Sequence, residues 1–384
     1  MHTIHSPQRR AKSHASASSL NAMALALSLA CLSVSAPAQT PMRGASAPMA
    51  KAPAGKGQTG TRYKADADMQ AVLDELAALG AKPIETLTVE EARKNPTPAD
   101  AVMSLLKKKG KDTSPATLVP GVSSQDRDIP GVAGPLPARV YTPTGKGPFP
   151  VIVYFHGGGW VIADKDVYDG GARGLSKAAQ AIVVSVDYRR APEAKFPAAW
   201  DDALAAYKWV AGNAASINGD PAKLALAGES AGGNLAVSTA VAARDAGVTA
   251  PRAVLAVYPV GQTGNMDTES FKDSSTAKPL NKATIGWFVD KLLAKPEDKS
   301  DPRLDIVHAK LAGLPPVTII NAQIDPLRSD GMLLEQALKK AGVTVDRKIY
   351  AGATHEFFGT AAVVKKAKDA QDYAGQQLKN AFRK

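Results

Sequence analysis

Cysteine is almost missing from this chain of 384 residues, because Cys31 is the only one. It lies in an apolar run, Ala22 to Ser35, of about 14 residues, the length of the apolar part of a signal peptide. If that segment is removed, the remaining chain has no disulfide, no thiolate nucleophile and no cysteine-bound metal. Any covalent chemistry then depends on other side chains.

No hydrophobic run in the chain reaches the length of about 20 residues that a membrane-spanning helix needs. The run over 22–35 follows a positively charged start and precedes Ala36-Pro37-Ala38, which has the small-residue pattern of a cleavage site. These features predict a secretory signal peptide over residues 1–38 rather than a core helix. We therefore expect an exported protein, periplasmic or secreted, without stable membrane insertion after cleavage.

Acidic residues are absent from the first 64 positions, and this shifts the charge of the whole chain. The formal net charge is +11, but three positive charges lie before residue 39 and five within 39–64, which leaves +3 for the rest. Residues 39–64 are rich in Ala, Pro, Gly and Lys without periodicity, and they predict a flexible linker. Because no basic stripe with interspersed aromatic residues remains, we expect no nucleic-acid partner.

From residue 65 the chain alternates strand-like and helix-like patterns, as α/β proteins do. Six mostly continuous apolar runs have the composition of buried parallel strands. They are "VIVYF" (151–155), "AIVVSVDY" (181–188), "KLALAG" (223–228), "AVLAVYP" (253–259), "VTIINA" (317–322) and "VDRKIY" (345–350). Helical patterns occupy 67–79, 198–210, 231–246, 332–341 and 361–382. We predict one domain over 65–384, with a mostly parallel central sheet flanked by helices.

The stretch "LALAGESAGGNLA", residues 224–236, has a serine bracketed by glycines where a predicted strand meets a predicted helix. A sharp strand-to-helix turn would expose the Ser230 hydroxyl, and Gly228 and Gly232 would leave room where helix and strand approach each other. The pattern predicts Ser230 as a nucleophile. The alternative is that Ser230 only caps the helix.

A serine nucleophile needs a base, and few histidines are available. Three of the six precede residue 39, which leaves His156, His308 and His355. His355 follows a predicted strand within the glycine-flanked "AGATHEFFG" and is the best candidate for the base. His156 is expected to hold the glycine loop that follows it, and His308 to lie on a surface helix.

A carboxylate must orient the base and stabilise its charged form. Asp325 directly follows a predicted strand, and open α/β sheets place their sites at the carboxyl ends of strands. We prefer Asp325 as this acid; the alternatives are Asp330 or Asp346, or a role for Asp325 as a turn residue only. The order Ser230, Asp325, His355 is the one expected for such a sheet.

A glycine run follows the first predicted strand, in "HGGGW" (156–160). The backbone amides of Gly158 and Gly159, with that of Ala231, are predicted to stabilise a negative charge developing on a carbonyl oxygen. A flexible loop or a phosphate cradle is the alternative. Against a phosphate site, no Lys-Ser or Lys-Thr pair follows, and no GxGxxG motif with a downstream acid occurs. We expect neither a cofactor nor a metal.

Five motifs, in this order, resemble those of the bacterial hormone-sensitive-lipase-like esterases, which have the α/β-hydrolase fold. They are "HGGGW", "YRRAPEAKFPAAWDD" (188–202), "GESAGGNLA", "DPLRSDG" and "GATHEFFG". The resemblance extends from about residue 66 to the C-terminus. It implies Ser230, Asp325 and His355 as the catalytic triad, the three oxyanion donors named above, and a helical cap built from about 65–115 and 262–300.

Four positions depart from the pattern of these esterases. They are Glu229 where Asp is frequent, Arg190 where an apolar residue is usual, Ser329 where an acid is common, and Glu356 where Gly often follows the histidine. None of them removes a catalytic group. The resemblance implies a serine carboxylesterase that acts on a small-molecule ester of a short- or medium-chain acid. A catalytically silent small-molecule-binding protein on the same fold and a serine amidase are the alternatives.

Overall fold

The computed structural model describes residues 61–383, which contain one eight-stranded sheet. The strands are β1 (Val122–Gly131), β2 (Gly134–Pro143), β3 (Phe149–Phe155), β4 (Ile182–Val186), β5 (Gly219–Glu229), β6 (Val254–Val257), β7 (Val317–Ile324) and β8 (Val345–Thr354). Their order in the sheet is β1-β2-β4-β3-β5-β6-β7-β8. β2 pairs antiparallel with both β1 and β4, and every other neighbouring pair is parallel. The predicted α/β fold with a mostly parallel sheet is confirmed.

Eleven α-helices occur in the described part of the chain. They are α1 (Ala67–Ala78), α2 (Val89–Lys94), α3 (Pro98–Lys108), α4 (Pro115–Leu118), α5 (Asp169–Ala179), α6 (Ala198–Asn213), α7 (Ala231–Asp245), α8 (Glu269–Asp273), α9 (Lys282–Leu292), α10 (Arg328–Lys340) and α11 (Lys365–Phe382). The five predicted helices correspond to α1, α6, α7, α10 and α11. Between residues 61 and 383, no helix combines the length and the apolar character that a bilayer crossing needs.

β3 illustrates why the inner strands are apolar without alternation. Val151, Val153 and Phe155 pack on one face of the sheet, in a cluster that includes residues of α6 and α7. Ile152 and Tyr154 pack on the other face, with residues of α5 and α11. Because helices cover both faces, every position of the strand except the half-buried Pro150 is buried, and the carboxyl ends of the strands are left free to carry loops.

The β1–β2 hairpin is absent from the predictions because its strands lack an apolar run. β1 is largely exposed along its length and contains polar residues at most positions. The sequence predicts β8 as a buried strand, but in the structure it is an edge strand that is partly exposed. It pairs with β7 alone at the edge of the sheet, so that Asp346, Lys348 and Ile349 are exposed. α5 also lacks a sequence signal, because glycines interrupt it near its start.

The predicted signal peptide (1–38) lies outside the described residues, as does the predicted linker (39–64) up to residue 60. Two of the remaining linker residues, Thr61 and Arg62, contact the segment over 262–300. Thr61 forms a β-bridge with Ser274, and the backbone N–H of Arg62 donates to Asp273 O at 2.9 Å. Both predicted boundaries stay predictions.

The two segments predicted to form a cap, 65–115 and 262–300, contact each other. Trp287 Nε1 in α9 donates to Leu87 O at 3.1 Å, and the Thr284 hydroxyl donates to Glu85 Oε2 at 2.8 Å. The side chains of both segments therefore reach the same region, next to the carboxyl ends of the strands.

Candidate active site

Ser230 lies at the turn between β5 and α7. Its φ is 56° and its ψ is −116°, a conformation that a residue other than glycine rarely adopts. The Ser230 N–H donates to Val257 O at 2.8 Å, which holds the turn against β6. Although Ser230 occupies the N-cap position of α7, its side chain makes no capping hydrogen bond. Helix capping therefore does not account for the serine.

The two glycines that bracket Ser230 are required by the backbone around them. A Cβ on Gly228 would lie 2.1 Å from Gly232 O, and a Cβ on Gly232 would lie 2.0 Å from Phe155 O. Both carbonyls belong to the main chain, which cannot turn aside as a flexible side chain can. The prediction that glycine makes room for the turn is confirmed.

Replacing Gly232 with alanine should therefore lower the free energy of unfolding by about 2 kcal/mol or more, because an added methyl group overpacks this contact. Urea denaturation of the two proteins measures the difference. Gly212→Ala is the matched control, since a Cβ at this exposed position in α6 meets nothing within 4 Å. It should leave the stability unchanged or raise it by up to about 1 kcal/mol. Equal losses in both variants would contradict the packing explanation.

His355 directly follows β8 and joins Ser230 to Asp325. Its Nε2 lies 2.9 Å from Ser230 Oγ, and its Nδ1 lies 2.8 Å from Asp325 Oδ2. Because an ionised carboxylate can only accept hydrogen bonds, Nδ1–H is the donor to Asp325. In the neutral ring Nε2 then has a free lone pair, which accepts the Ser230 O–H. The three side chains predicted from distant parts of the sequence are thus joined by hydrogen bonds.

Asp325 directly follows β7 and is fully buried. Its Oδ1 accepts a hydrogen bond from Leu327 N at 2.8 Å, so the residue both forms a turn and contacts the histidine. The two alternative acids have other partners. Asp330 accepts from the amide of Gly261 at 3.0 Å, and Asp346 accepts from the hydroxyl of Tyr373 at 2.7 Å. Neither of them contacts the imidazole.

The charge of Asp325 changes the basicity of His355. Burial alone lowers the pKa of His355, whereas the charge of Asp325 and its hydrogen bond raise that pKa, as does the nearby carboxylate of Glu356. Together these effects hold the pKa of His355 above its ordinary value. The ring is therefore a stronger base than an exposed histidine.

The glycine loop after β3 lies beside Ser230. Gly158 and Gly159 have φ values of 91° and 59°, in the left-handed region that favours glycine. Among the described residues, no backbone carbonyl accepts a hydrogen bond from the amides of Gly158, Gly159 or Ala231. Gly158 and Gly159 line the same cavity as Ser230 and His355, and Ala231 N–H belongs to the first residue of α7. Three amides are thus free to bind an oxyanion.

Within residues 61–383, the other two histidines make no hydrogen bond to Ser230. His156 is buried, and its Nδ1 lies 2.8 Å from Gly157 O, while its ring stacks on that of Tyr188 at 4.3 Å. These contacts agree with the predicted role of holding the loop. His308 is exposed, as predicted, but it lies in a turn where a helix was expected, with Nδ1 2.9 Å from Asp305.

A cavity of about 430 Å³ opens above Ser230 and His355. Residues from both predicted cap segments close it from the outside with mostly apolar side chains. They include Leu73, Leu76, Ile84, Ile285, Phe288 and Val289. Phe288 lies directly on the glycine loop, because a Cβ on Gly159 would be 2.3 Å from its Cγ. The cavity has the size and the apolar character of a small-molecule site.

Two glutamates beside the triad have tyrosine partners that sequence analysis missed. The Tyr168 hydroxyl donates to Glu356 Oε1 at 2.6 Å. The hydroxyls of Tyr154 and Tyr258 donate to the carboxylate of Glu229, which is fully buried. Burial raises the pKa of Glu229 to about 8, and burial likewise raises the pKa of Glu356. No local sequence pattern predicts these glutamate–tyrosine pairs, because the partners are far apart in the chain.

The other two residues that depart from the esterase pattern, Arg190 and Ser329, hydrogen-bond to residues outside the triad. Arg190 donates to the backbone carbonyl of Ala163, near the glycine loop. The Ser329 hydroxyl accepts from Ser270 N at 3.2 Å, and Ser329 N donates to the Ser270 hydroxyl at 3.0 Å. These two bonds tie the start of α10 to α8.

Comparisons with known proteins give a consistent result. A family model described as the α/β-hydrolase fold matches residues 152–359. The chain is 38% identical to carboxylesterase NlhH of Mycobacterium tuberculosis, over 70% of this chain and 86% of the relative. It is 30% identical to the ethyl acetate hydrolase of Pseudomonas putida, over 74% and 88%. The solved esterase of Pyrobaculum calidifontis superposes with a TM-score of 0.71 at 34% identity, covering 79% of this chain and 97% of that one.

Proposed function

This chain belongs to the hormone-sensitive-lipase-like esterases of the α/β-hydrolase fold and hydrolyses carboxylic esters, and we propose that it does so through Ser230, His355 and Asp325. The observation that supports this triad most is the hydrogen bonding of one imidazole on both sides, to Ser230 Oγ and to Asp325 Oδ2. The alternative, a catalytically silent small-molecule-binding protein, is the weaker proposal. Such a protein would lack a histidine placed to act as the base, whereas His355 contacts both Ser230 and Asp325.

In the acylation step, Ser230 Oγ attacks the ester carbonyl while His355 Nε2 takes its proton. The carbonyl oxygen becomes negative and is stabilised by the amides of Gly158, Gly159 and Ala231. The positive end of the α7 dipole adds to this stabilisation. His355 then gives the proton to the departing alcohol, and Asp325 stabilises the imidazolium that exists in between.

In the deacylation step, a water molecule takes the place of the alcohol. His355 Nε2 removes a proton from this water, whose oxygen attacks the acyl carbon bound to Ser230. The tetrahedral intermediate uses the same oxyanion amides and collapses to the carboxylic acid, while the proton returns to Ser230 Oγ. The two half-reactions thus use one base and one set of donors.

The rate should depend on pH through His355, because only the neutral ring can act as the base. The charge and hydrogen bond of Asp325, together with the nearby Glu356, raise its pKa above the ordinary value of about 6.5. Protonation on lowering the pH therefore inactivates the enzyme, and the midpoint of the acidic limb of kcat/KM should lie above about pH 6.5. A pH profile with p-nitrophenyl butyrate measures the midpoint. Constant activity down to about pH 4 would contradict the assignment of the base.

We propose that the preferred substrates are esters of short- and medium-chain acids. The support is the cavity of about 430 Å³ beside Ser230, which lies at the smaller end of the range for small-molecule sites and has a mostly apolar lining. A series of p-nitrophenyl esters tests this. We expect kcat/KM to be highest between acetate and octanoate and to fall steeply toward palmitate; a maximum at palmitate would contradict it.

We further propose that the protein is exported with removal of residues 1–38. The support is the sequence pattern alone, a charged start, an apolar run and a small-residue site. Expression of the whole chain in a bacterial host, followed by N-terminal sequencing of the periplasmic and cytoplasmic fractions, tests the proposal. The expected mature N-terminus is Gln39; an uncleaved cytoplasmic product would contradict it.

A further inference from the structure

Glu356 places a second carboxylate beside the nitrogen of His355 that transfers the proton. Its Oε1 lies 3.8 Å from His355 Nε2, the atom that also contacts Ser230 Oγ. Glu356 lines the same cavity as these two residues, and 22% of its side chain is exposed. None of the hydrogen bonds of the triad uses this carboxylate, so it is available for another task.

The backbone and Tyr168 hold Glu356 in place. Its φ of 69° lies in the left-handed region, which costs a residue other than glycine about 1 kcal/mol. Strain of this kind is concentrated at functional sites. The Tyr168 hydroxyl that donates to Oε1 is itself packed against the glycine loop, because a Cβ on Gly157 would lie 2.2 Å from it. The carboxylate is therefore fixed relative to the triad.

The second oxygen of Glu356 is open to the cavity. Among the described residues, no group donates a hydrogen bond to Oε2, and this atom is not one of the sealed polar atoms without a partner. Within the same part of the chain, no lysine or arginine nitrogen lies within 4.0 Å of the carboxylate. Of the described residues, His355 is the only one with a basic nitrogen within 4.0 Å of this carboxylate.

The position of His355 Nε2 decides which part of an ester meets Glu356. In the proposed mechanism Nε2 gives its proton to the alcohol oxygen, which must come within about 3 Å of it. The first atoms of the alcohol then lie next to Glu356, whereas the acyl carbon is held at Ser230. Glu356 is thus placed to contact the alcohol part of the ester and not the acyl part.

We propose that Glu356 determines specificity for the alcohol part of the ester and favours alcohols with a positive charge near the ester oxygen, such as a quaternary ammonium group. The inference rests on the function proposed above. A cation at this place would face an anion fixed by Tyr168 among mostly apolar side chains, where charge attraction is stronger than in water. An alcohol with a carboxylate there would be repelled.

A matched pair of substrates tests this proposal. One is butyrylcholine, and the other is its neutral analogue, in which a tert-butyl group replaces the trimethylammonium group. Because burial raises the pKa of Glu356, the assay is run at about pH 8, where more of the carboxylate is ionised. We expect the ratio of the two kcat/KM values, charged over neutral, to fall about tenfold in Glu356→Gln. Glutamine keeps an oxygen that can accept the Tyr168 hydrogen bond.

Glu297→Gln is the matched control, because it removes the same charge from an exposed position in the 296–300 turn. Its substrate ratio should equal that of the wild type. An unchanged ratio in Glu356→Gln overturns the proposal. An equal loss for both substrates, with a shifted pH profile, also overturns it, because Glu356 would then act only through His355.

A second measurement needs no variant, which matters if Glu356→Gln does not fold. Choline should inhibit hydrolysis of p-nitrophenyl butyrate by the wild type at a concentration about tenfold lower than the neutral alcohol with a tert-butyl group. Equal inhibition by the two alcohols overturns the specificity proposal and leaves the triad untouched. A wild type that hydrolyses neither p-nitrophenyl butyrate nor the matched esters overturns the proposed function itself.

Discussion

Replacing Ser230 with alanine should lower kcat for p-nitrophenyl butyrate by about 10⁵-fold or more, because the step that forms the acyl-enzyme loses its nucleophile. The turn between β5 and α7 should survive, since alanine is smaller and Ser230 makes no capping bond. KM should change little, because the cavity residues are unaltered. Endpoint assays at high enzyme concentration measure the loss of kcat. A fluorophosphonate label, detected by mass spectrometry, provides a second measurement.

The label identifies the nucleophile independently of the rate. In the wild type it should modify Ser230, and in Ser230→Ala no serine should be modified. Ser185→Ala is a suitable control, because the Ser185 hydroxyl is buried in β4 and has no hydrogen-bond partner among residues 61–383. It should keep near-native activity and labelling. Hydrolysis at the native rate by Ser230→Ala would show that Ser230 is not the nucleophile.

The parallel core of the sheet could be predicted from the sequence because helices bury it on both faces. A strand such as β3 must then be apolar at every position, and such runs stand out. The antiparallel hairpin could not be predicted in this way. β1 lies at the edge of the sheet with most of its side chains exposed, so its residues carry no apolar period.

Ser230, Asp325 and His355 could be located because each directly follows a strand, and the ends of parallel strands meet at one edge of a sheet. Tyr168 could not be located. It lies in a loop before α5 and contacts Glu356 across 188 positions, and neither neighbourhood has a periodic pattern. The shape and lining of the cavity could not be predicted either, because they depend on how α1 and α9 approach the strand ends.

Replacing Asp325 with asparagine should lower kcat by about 10⁴-fold. An asparagine in the same place can offer its NH₂ group to His355 Nδ1, which must then accept instead of donating. The proton of the neutral ring moves to Nε2, so the ring can no longer take the Ser230 proton. The loss should appear in kcat, with KM nearly unchanged, and the rate of fluorophosphonate labelling should fall in parallel.

The same substitution removes the negative charge that raises the pKa of His355, so the acidic limb of the remaining activity should move to lower pH. Asp346→Asn is the matched control, because Asp346 is the exposed alternative on β8 and its partners are Tyr373 and Gln377. It should behave as the wild type in rate and in pH profile. A loss confined to KM in Asp325→Asn, or an equal loss in both variants, would show that Asp325 does not set the tautomer of the base.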